Sequence, residues 1–200
     1  MKQNLFKGLF FVFEGLDGSG QSTQAALLRD YFKAQGKAVI LTKEPTNWTV
    51  AGRKIKEALD EKKRIEPLKL QELFCEDRGE HLKKEIIPAL RAETTVISDR
   101  YAFSTMAFGG IEVPMHQLVA LNKSFVCPNK VFYLRVRPEE CVRRIAARGK
   151  GVQFFEKLEK LRKVAKNYDK IAKSFKEIFV MLDGEQGIEK IHQQVIASLK

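Results

Sequence analysis

A glycine-rich segment close to the amino terminus carries residue types that could bind phosphate groups. Glycines stand at positions 15, 18 and 20, and Ser22 and Thr23 follow them. Glycines let successive backbone N–H groups turn toward one anion because no Cβ atom is in the way, and a helix start adds unpaired N–H groups and a positive dipole end. The spacing predicts a phosphate-binding loop, in which Ser22 is placed to reach a magnesium ion. The predicted nucleotide-binding residues are Gly15, Leu16, Asp17, Gly18, Ser19, Gly20, Gln21, Ser22 and Thr23.

Position 21 departs from the usual pattern of such loops, which is G-x-x-x-x-G-K-[ST]. Gln21 stands where a lysine would reach the β- and γ-phosphates. A glutamine can donate a hydrogen bond but carries no charge. Two interpretations stay open, namely a nucleotide site without its fixed cation and a glycine turn that binds no ligand. If the site acts on the phosphates that it binds, the sequence alone predicts that Gln21→Lys raises turnover.

Short apolar segments alternate with helical patterns along the whole chain. Because this alternation is typical of strands joined by helical crossovers, we expect an α/β fold whose five-stranded parallel sheet is flanked by helices on both faces. We find no repeat and no domain boundary, so residues 1–200 are predicted to form a single domain. The predicted strands are residues 9–13, 38–41, 94–98, 130–136 and 178–182. The predicted helices are residues 22–35, 51–59, 67–90, 104–110, 114–125, 138–148, 155–175 and 187–199.

Composition restricts the class of protein. The chain has 200 residues, 44% hydrophobic and 30% charged, and no apolar run approaches the roughly 20 residues of a membrane span. Cys75, Cys127 and Cys141 form no metal or redox spacing, which favours reduced thiols and a cytoplasmic protein. The net charge of +11 is compatible with a nucleic-acid-associated protein or with a site for several phosphates. Since the basic residues are spread over helices, we predict no membrane and no specific nucleic-acid partner.

A second polar cluster follows the predicted strand 94–98. Asp99, Arg100 and Tyr101 come directly after it. Ligands of open α/β sheets bind beyond the carboxyl ends of strands, so this carboxylate and this arginine are well placed for metal-bound water and phosphate. Ser22 and Asp99 are the predicted magnesium residues.

The predicted helix 67–90 combines an aromatic residue with a cation. Phe74 and Arg78 are four residues apart and therefore share a face. Such a pair could grip a planar base, but the residues alone favour a core phenylalanine beside a surface arginine. Pro88 is expected to kink or restart this helix.

Several motifs in this order resemble the thymidylate kinase family, a group of P-loop nucleoside monophosphate kinases. The similarity runs from about residue 9 to about residue 199. The motifs are Phe13-Glu14-Gly15-Leu16-Asp17-Gly18-Ser19-Gly20 with Ser22-Thr23-Gln24, Glu44-Pro45 with Gly52 and Ile55, Leu73-Phe74 with Asp77-Arg78 and His81, Asp99-Arg100-Tyr101 with Ser104, Phe132 through Pro138-Glu139-Glu140 to Arg144 and Arg148, and Leu182-Asp183-Gly184.

The resemblance implies that ATP phosphorylates dTMP to give dTDP and ADP, with Mg²⁺, and that the protein is a homodimer. By resemblance, Phe74 stacks on thymine, Arg78 binds its carbonyl edge, and Arg100 contacts the monophosphate. Glu44 and Ser104 complete the implied substrate site, and Asp17 holds the acceptor sugar or the magnesium–water network. Family members carry a catalytic arginine either in the phosphate loop or in a lid. Position 18 is glycine here, so Arg148, in a short lid at about residues 148–156, is the expected catalytic arginine.

Departures from the family pattern keep alternatives open. Besides Gln21, Arg135 stands where an acidic residue is usual, and Thr46-Asn47-Trp48 replaces a Gly-Gly pair. The alternatives to an active dTMP kinase are a weak or inactive nucleotide binder, a nucleic-acid-associated P-loop protein, and a kinase for another nucleoside monophosphate.

Overall fold

The strands form one parallel sheet. The computed structural model of the chain describes residues 1–60, 62–147 and 154–199, with the backbone alone at 154–157. Five strands pair in the order β2-β3-β1-β4-β5, and all four pairings are parallel. This confirms the predicted α/β class. The strands are β1 Phe10–Gly15, β2 Val39–Lys43, β3 Thr95–Asp99, β4 Lys130–Arg135 and β5 Phe179–Asp183.

Helices cover both faces of the sheet, which buries every residue of β1. Side chains of a strand alternate between faces. Phe10 and Val12 therefore pack in one core with helices α4 to α8, while Phe11 and Phe13 pack in a second core with α1 and α9. The helices are α1 Gln21–Ala34, α2 Val50–Leu59, α3 Pro67–His81, α4 Ile87–Arg91, α5 Ala102–Gly109, α6 Met115–Asn122, α7 Pro138–Ala146, α8 Phe154–Ser174 and α9 Ile188–Ala197.

The segment predicted as one helix over residues 67–90 is divided in the structure. A π-helical stretch, Leu82–Ile86, separates α3 from α4, and Pro88 lies in the first turn of α4. Proline has no N–H and its ring clashes with the preceding turn, so a regular α-helix cannot run through it. The expected restart at Pro88 is confirmed, and the widened turn before it is the new finding.

The strand register brings the polar ends of three strands together. Phe13 pairs with Asp99, and Lys43 of β2 pairs with Asp99 from the other side. The loop after β1 therefore lies beside the carboxyl end of β3. Within the described ranges, no helix is both long and apolar enough to span a bilayer.

Candidate active site

The glycine-rich loop connects the buried strand β1 to α1. Gly18 has φ +86° and Gly20 has φ +97°, a left-handed conformation in which other residues are strained. A Cβ atom at Gly18 would lie 2.9 Å from the carbonyl oxygen of Cys141, so this part of the loop packs closely against α7. Position 18 therefore has no room for an arginine. No side chain caps the amino terminus of α1, as suits a helix end that receives an anion.

Asp99 lies at the end of β3, beside the first turn of α1. Its Oδ2 accepts hydrogen bonds from Ser22 Oγ at 2.5 Å and from Lys43 Nζ at 3.0 Å. Its Oδ1 is buried and has no hydrogen-bond partner among the described residues. A buried carboxylate oxygen without a donor is costly unless a cation or water binds it. The structure thus brings together the two residues predicted to bind magnesium and leaves one oxygen free for an ion.

Arg100 crosses the phosphate loop. Its backbone is left-handed, with φ 74°, and its side chain is 13% exposed. Nη1 donates to Gly15 O and to Ser104 Oγ, each at 3.0 Å, and Nη2 donates to Asp17 Oδ1 at 2.8 Å. Three predicted site residues, Arg100, Ser104 and Asp17, therefore meet at one guanidinium group.

The side chain of Gln21 lies under this guanidinium and is 6% exposed. Only one orientation of the Gln21 amide gives hydrogen-bond partners to both its nitrogen and its oxygen. The amide nitrogen then donates to Ser19 Oγ at 2.8 Å and to Gly15 O at 3.2 Å, and the oxygen accepts from Arg100 Nη2 at 2.7 Å and Nε at 2.8 Å. The opposite orientation would turn the amide N–H groups toward the donors of Arg100. The residue in the lysine position thus contacts the arginine that follows β3.

Glu14 lies directly beneath Arg100, in β1, and is completely buried. Its carboxylate accepts from the backbone N–H groups of Tyr101 and Ser104, and from the hydroxyl groups of Ser104 at 2.5 Å and Tyr168 at 2.8 Å. Burial raises the pKa of Glu14 to about 7, although the charge of Arg100 and these donors act in the opposite direction. The site predictions did not include Glu14 or Tyr168. Glu14 directly follows the predicted apolar strand 9–13 and belongs to the first motif of the resemblance, and these were the signals that could have found it.

Arg78 is buried rather than exposed. Its side chain is 1% exposed, and Nε donates to Glu44 Oε2 at 2.8 Å. Nη1 donates to Asn122 Oδ1 at 2.6 Å, and Nη2 donates to Thr105 Oγ1 at 2.9 Å. The guanidinium also lies over Tyr101, 5.1 Å from the ring centre. The surface position that the residues alone favoured for Arg78 is therefore wrong.

Phe74 lies near Arg78 on α3. It is half-buried and packs against a small apolar cluster of Ala51, Ile55 and Leu73. Asp77 anchors the neighbouring loop, because its carboxylate accepts from the backbone N–H of Thr46 at 2.8 Å and from the hydroxyl groups of Thr46 and Thr49. The loop after β2 and α3 thus form one wall of the cleft.

Most of the expected lid, residues 148–156, lies outside the described residues. Arg148 lies outside the described residues, as do residues 149–153, and the rest of the predicted lid forms the backbone of the first turn of α8. Arg144, four residues before Arg148 in the sequence, is described. Its Nη1 donates to Gly184 O at 3.1 Å and lies 3.4 Å from Ser19 O, so α7 brings a guanidinium to the rim of the phosphate loop.

The comparisons with known proteins agree with this geometry. A protein-family model described as "Thymidylate kinase" matches residues 13–195. The chain is 38% identical over 200 residues to a "Probable thymidylate kinase" of Pyrococcus abyssi, with 97% of each chain covered. It is 37% identical over 200 residues to a "Probable thymidylate kinase" of Pyrococcus horikoshii, again covering 97% of each. It is 34% identical over 195 residues to a "Thymidylate kinase" of Caldicellulosiruptor saccharolyticus, with 94% of each covered.

Proposed function

The chain belongs to the thymidylate kinase family, and from this premise we propose that it transfers the γ-phosphoryl group of ATP to dTMP, giving ADP and dTDP. The observation that carries the proposal is the meeting of the phosphate loop with Asp99 and Arg100 at the carboxyl ends of β1 and β3. That edge is where open α/β sheets bind nucleotides. The carboxylate and the guanidinium are the groups that a phosphoryl transfer needs there.

On the donor side, the backbone N–H groups of the loop and of the first turn of α1 bind the phosphates of ATP. Mg²⁺ would be held by Ser22 and Asp99, because Asp99 Oδ1 is buried without a partner beside the Ser22 hydroxyl. Bound there, the ion would neutralise charge on the phosphate oxygens. Lys43, which donates to Asp99 Oδ2, has an exposed side chain, so in this proposal it gives way to the ion.

On the acceptor side, Phe74 supplies an apolar face for the thymine base and Arg100 faces the monophosphate. Arg78 and Glu44 act together, since the buried guanidinium donates to Glu44 Oε2, Asn122 Oδ1 and Thr105 Oγ1 and so restrains these three side chains. Ser104 and Asp17 hold Arg100 from either side. In this proposal Arg78 shapes the base pocket chiefly by ordering Glu44, Thr105 and Asn122.

Catalysis would rest on position and charge rather than on covalent chemistry. The transferred phosphoryl group spreads its charge over three equatorial oxygens, and planar guanidinium groups stabilise that charge well. Arg100 lies across the loop, and the lid arginine Arg148 is proposed to approach from α7 as the lid closes and excludes water. Residues 1–200 would act as one P-loop kinase domain with its lid at about 148–156.

The assembly and location are further parts of the proposal. We propose a homodimer packed through helices, which analytical ultracentrifugation at micromolar concentration would test. A cytoplasmic location is supported by the absence of disulfides among Cys75, Cys127 and Cys141.

The test is a coupled assay of ADP release with dTMP, dUMP, dGMP and AMP as acceptors. We expect dTMP to stimulate ADP release most strongly. ATP binding without acceptor-dependent ADP release would instead identify an inactive nucleotide binder. A preference for another monophosphate would support the proposed phosphoryl transfer but contradict dTMP as the acceptor. Tight, steeply salt-dependent binding to mixed DNA without turnover would identify a nucleic-acid-associated protein.

A further inference from the structure

A tyrosine of α8 lies beneath two residues of the acceptor site. Tyr168 is completely buried, and its hydroxyl group donates to Glu14 Oε2 at 2.8 Å. The same phenolic oxygen lies 3.0 Å from Ser104 Oγ and 3.5 Å from Arg100 Nη1. Burial raises the pKa of Tyr168 well above its usual value, so the hydroxyl group keeps its proton and stays a donor.

The carboxylate of Glu14 links this hydroxyl group to Ser104. Glu14 Oε2 accepts from Tyr168 and from Ser104 Oγ, and Oε1 accepts from the backbone N–H groups of Tyr101 and Ser104. Ser104 Oγ in turn accepts from Arg100 Nη1 at 3.0 Å. A continuous set of hydrogen bonds therefore runs from α8 through the buried carboxylate to the guanidinium group that faces the acceptor.

Arg100 is a residue whose position has to be held by its surroundings. Its backbone is left-handed, with φ 74°, and such a conformation persists in a residue other than glycine only where neighbouring groups fix it. Its side chain is long, and ordering it at the moment of binding would cost conformational freedom. A guanidinium group that is oriented before the substrate arrives binds a phosphate more tightly for that reason.

The ring of Tyr168 is fixed by packing that does not involve its hydroxyl group. It stacks on Tyr133, with ring centres 5.0 Å apart and planes 21° from parallel. The ring of Phe108 meets it edge-on at 6.3 Å. A phenylalanine at position 168 would keep both ring contacts and lose only the hydroxyl group, so the hydrogen bonds can be tested apart from the packing.

We propose that Tyr168 is a positioning residue for the acceptor phosphate. Its hydroxyl group, together with Glu14, holds Ser104 and Arg100 in the orientation that receives the phosphate of dTMP. The inference rests on the proposed function and deepens it, because it gives α8 a part in acceptor binding. Tyr168 acts through Ser104 and Arg100 and does not touch the substrate, since its side chain is buried beneath them.

The decisive experiment compares two ligands that differ only in the phosphate group. Binding of dTMP is measured by calorimetric titration, and binding of thymidine by displacement of dTMP. Tyr168→Phe is expected to weaken dTMP binding about fivefold or more, as for loss of a hydrogen bond in a charged network, and to change thymidine binding less than about twofold. Equal weakening of both ligands, or unchanged dTMP binding, would overturn the proposal.

Tyr133→Phe is the matched control. Tyr133 is also a buried tyrosine in the same stack, but its hydroxyl group bonds to Asp169 and not to the Glu14 carboxylate. This variant is expected to leave the affinity for dTMP within about twofold of the wild-type value, even where it lowers the melting temperature. A loss of dTMP affinity equal to that of Tyr168→Phe would show that packing alone is responsible, and would overturn the positioning role.

A second background tests whether Tyr168 acts through Arg100. With Arg100→Met, the added Tyr168→Phe substitution is expected to weaken dTMP binding less than about twofold, because the group that it positions is gone. An undiminished effect in this background would contradict the proposal, and so would wild-type protein that binds dTMP no more tightly than thymidine. Absence of dTMP-dependent ADP release from protein that does prefer dTMP would instead refute the proposed function, and these binding measurements would still decide the role of Tyr168.

Discussion

The buried pair of Arg78 and Glu44 allows a prediction in which structural and substrate-binding roles separate. Both side chains are almost completely buried, at 1% and 3% exposure, and are in contact at 2.8 Å. The sequence assigns Arg78 to the thymine site by resemblance alone. The structure adds that its donors are paired with Glu44, Asn122 and Thr105. We expect Arg78→Met, which removes the charge but keeps much of the volume, to destabilise the protein.

The magnitude follows from the charge that the substitution leaves behind. Removing one partner of a buried ion pair costs about 3–5 kcal/mol, because the other charge stays buried without compensation. In a protein of this size each kcal/mol corresponds to about 2–4 °C, so we expect a fall of about 6–20 °C in melting temperature. Without Arg78, the carboxylate of Glu44 keeps only His81 Nδ1 beside it among the described residues, at 3.1 Å from Oε1. Glu44→Gln added to Arg78→Met removes this charge and is expected to restore at least half of that fall.

The assay is thermal unfolding without nucleotide, monitored by circular dichroism. Arg29→Ala is the matched control, because Arg29 also forms an ion pair, with Asp30, but on the surface of α1. Exposed ion pairs contribute little, so this control should barely change the melting temperature. An Arg78→Met protein as stable as the Arg29→Ala protein would refute the reasoning. A double variant no more stable than Arg78→Met would refute the orphaned charge as the cause.

Three further predictions concern the cleft. Since burial raises the pKa of Glu14 to about 7 while an unfolded carboxyl ionises near 4.5, ionisation favours unfolding increasingly between those values. Wild type should therefore lose up to about 3 kcal/mol of stability relative to Glu14→Gln as the pH rises from 4.5 to 7, measured by urea unfolding; parallel pH profiles would contradict this. Phe74→Ala should raise KM for dTMP about tenfold or more without changing KM for ATP, and equal changes in both would disprove base stacking. Asp99→Asn should raise the Mg²⁺ concentration needed for half-maximal rate about tenfold or more, and an unchanged requirement would place the ion elsewhere.

Local patterns determined much of this protein. The strand, glycine turn and helix start of residues 9–23 were predictable because an apolar run, glycine spacing and helical periodicity are signals that neighbouring residues carry. The five strands were predictable because buried parallel strands are nearly continuous apolar runs. Because ligands of such sheets bind beyond the carboxyl ends of the strands, the sequence also indicated that Ser22 and Asp99 lie at one edge of the sheet. The lid, with Arg148, stays a prediction.

Contacts between distant segments decided the rest. Gln21 looked like a lost charge in the sequence, and only the fold brings Arg100 above it. Arg78 looked like a surface cation, and only the packing of α3 against α5 and α6 buries it with acceptors for its donors. Glu14 and Tyr168 are 154 positions apart and share a hydrogen bond. Residue type and spacing fix what a segment can form locally, but the burial, pairing and charge of a side chain depend on which other segments the fold places around it.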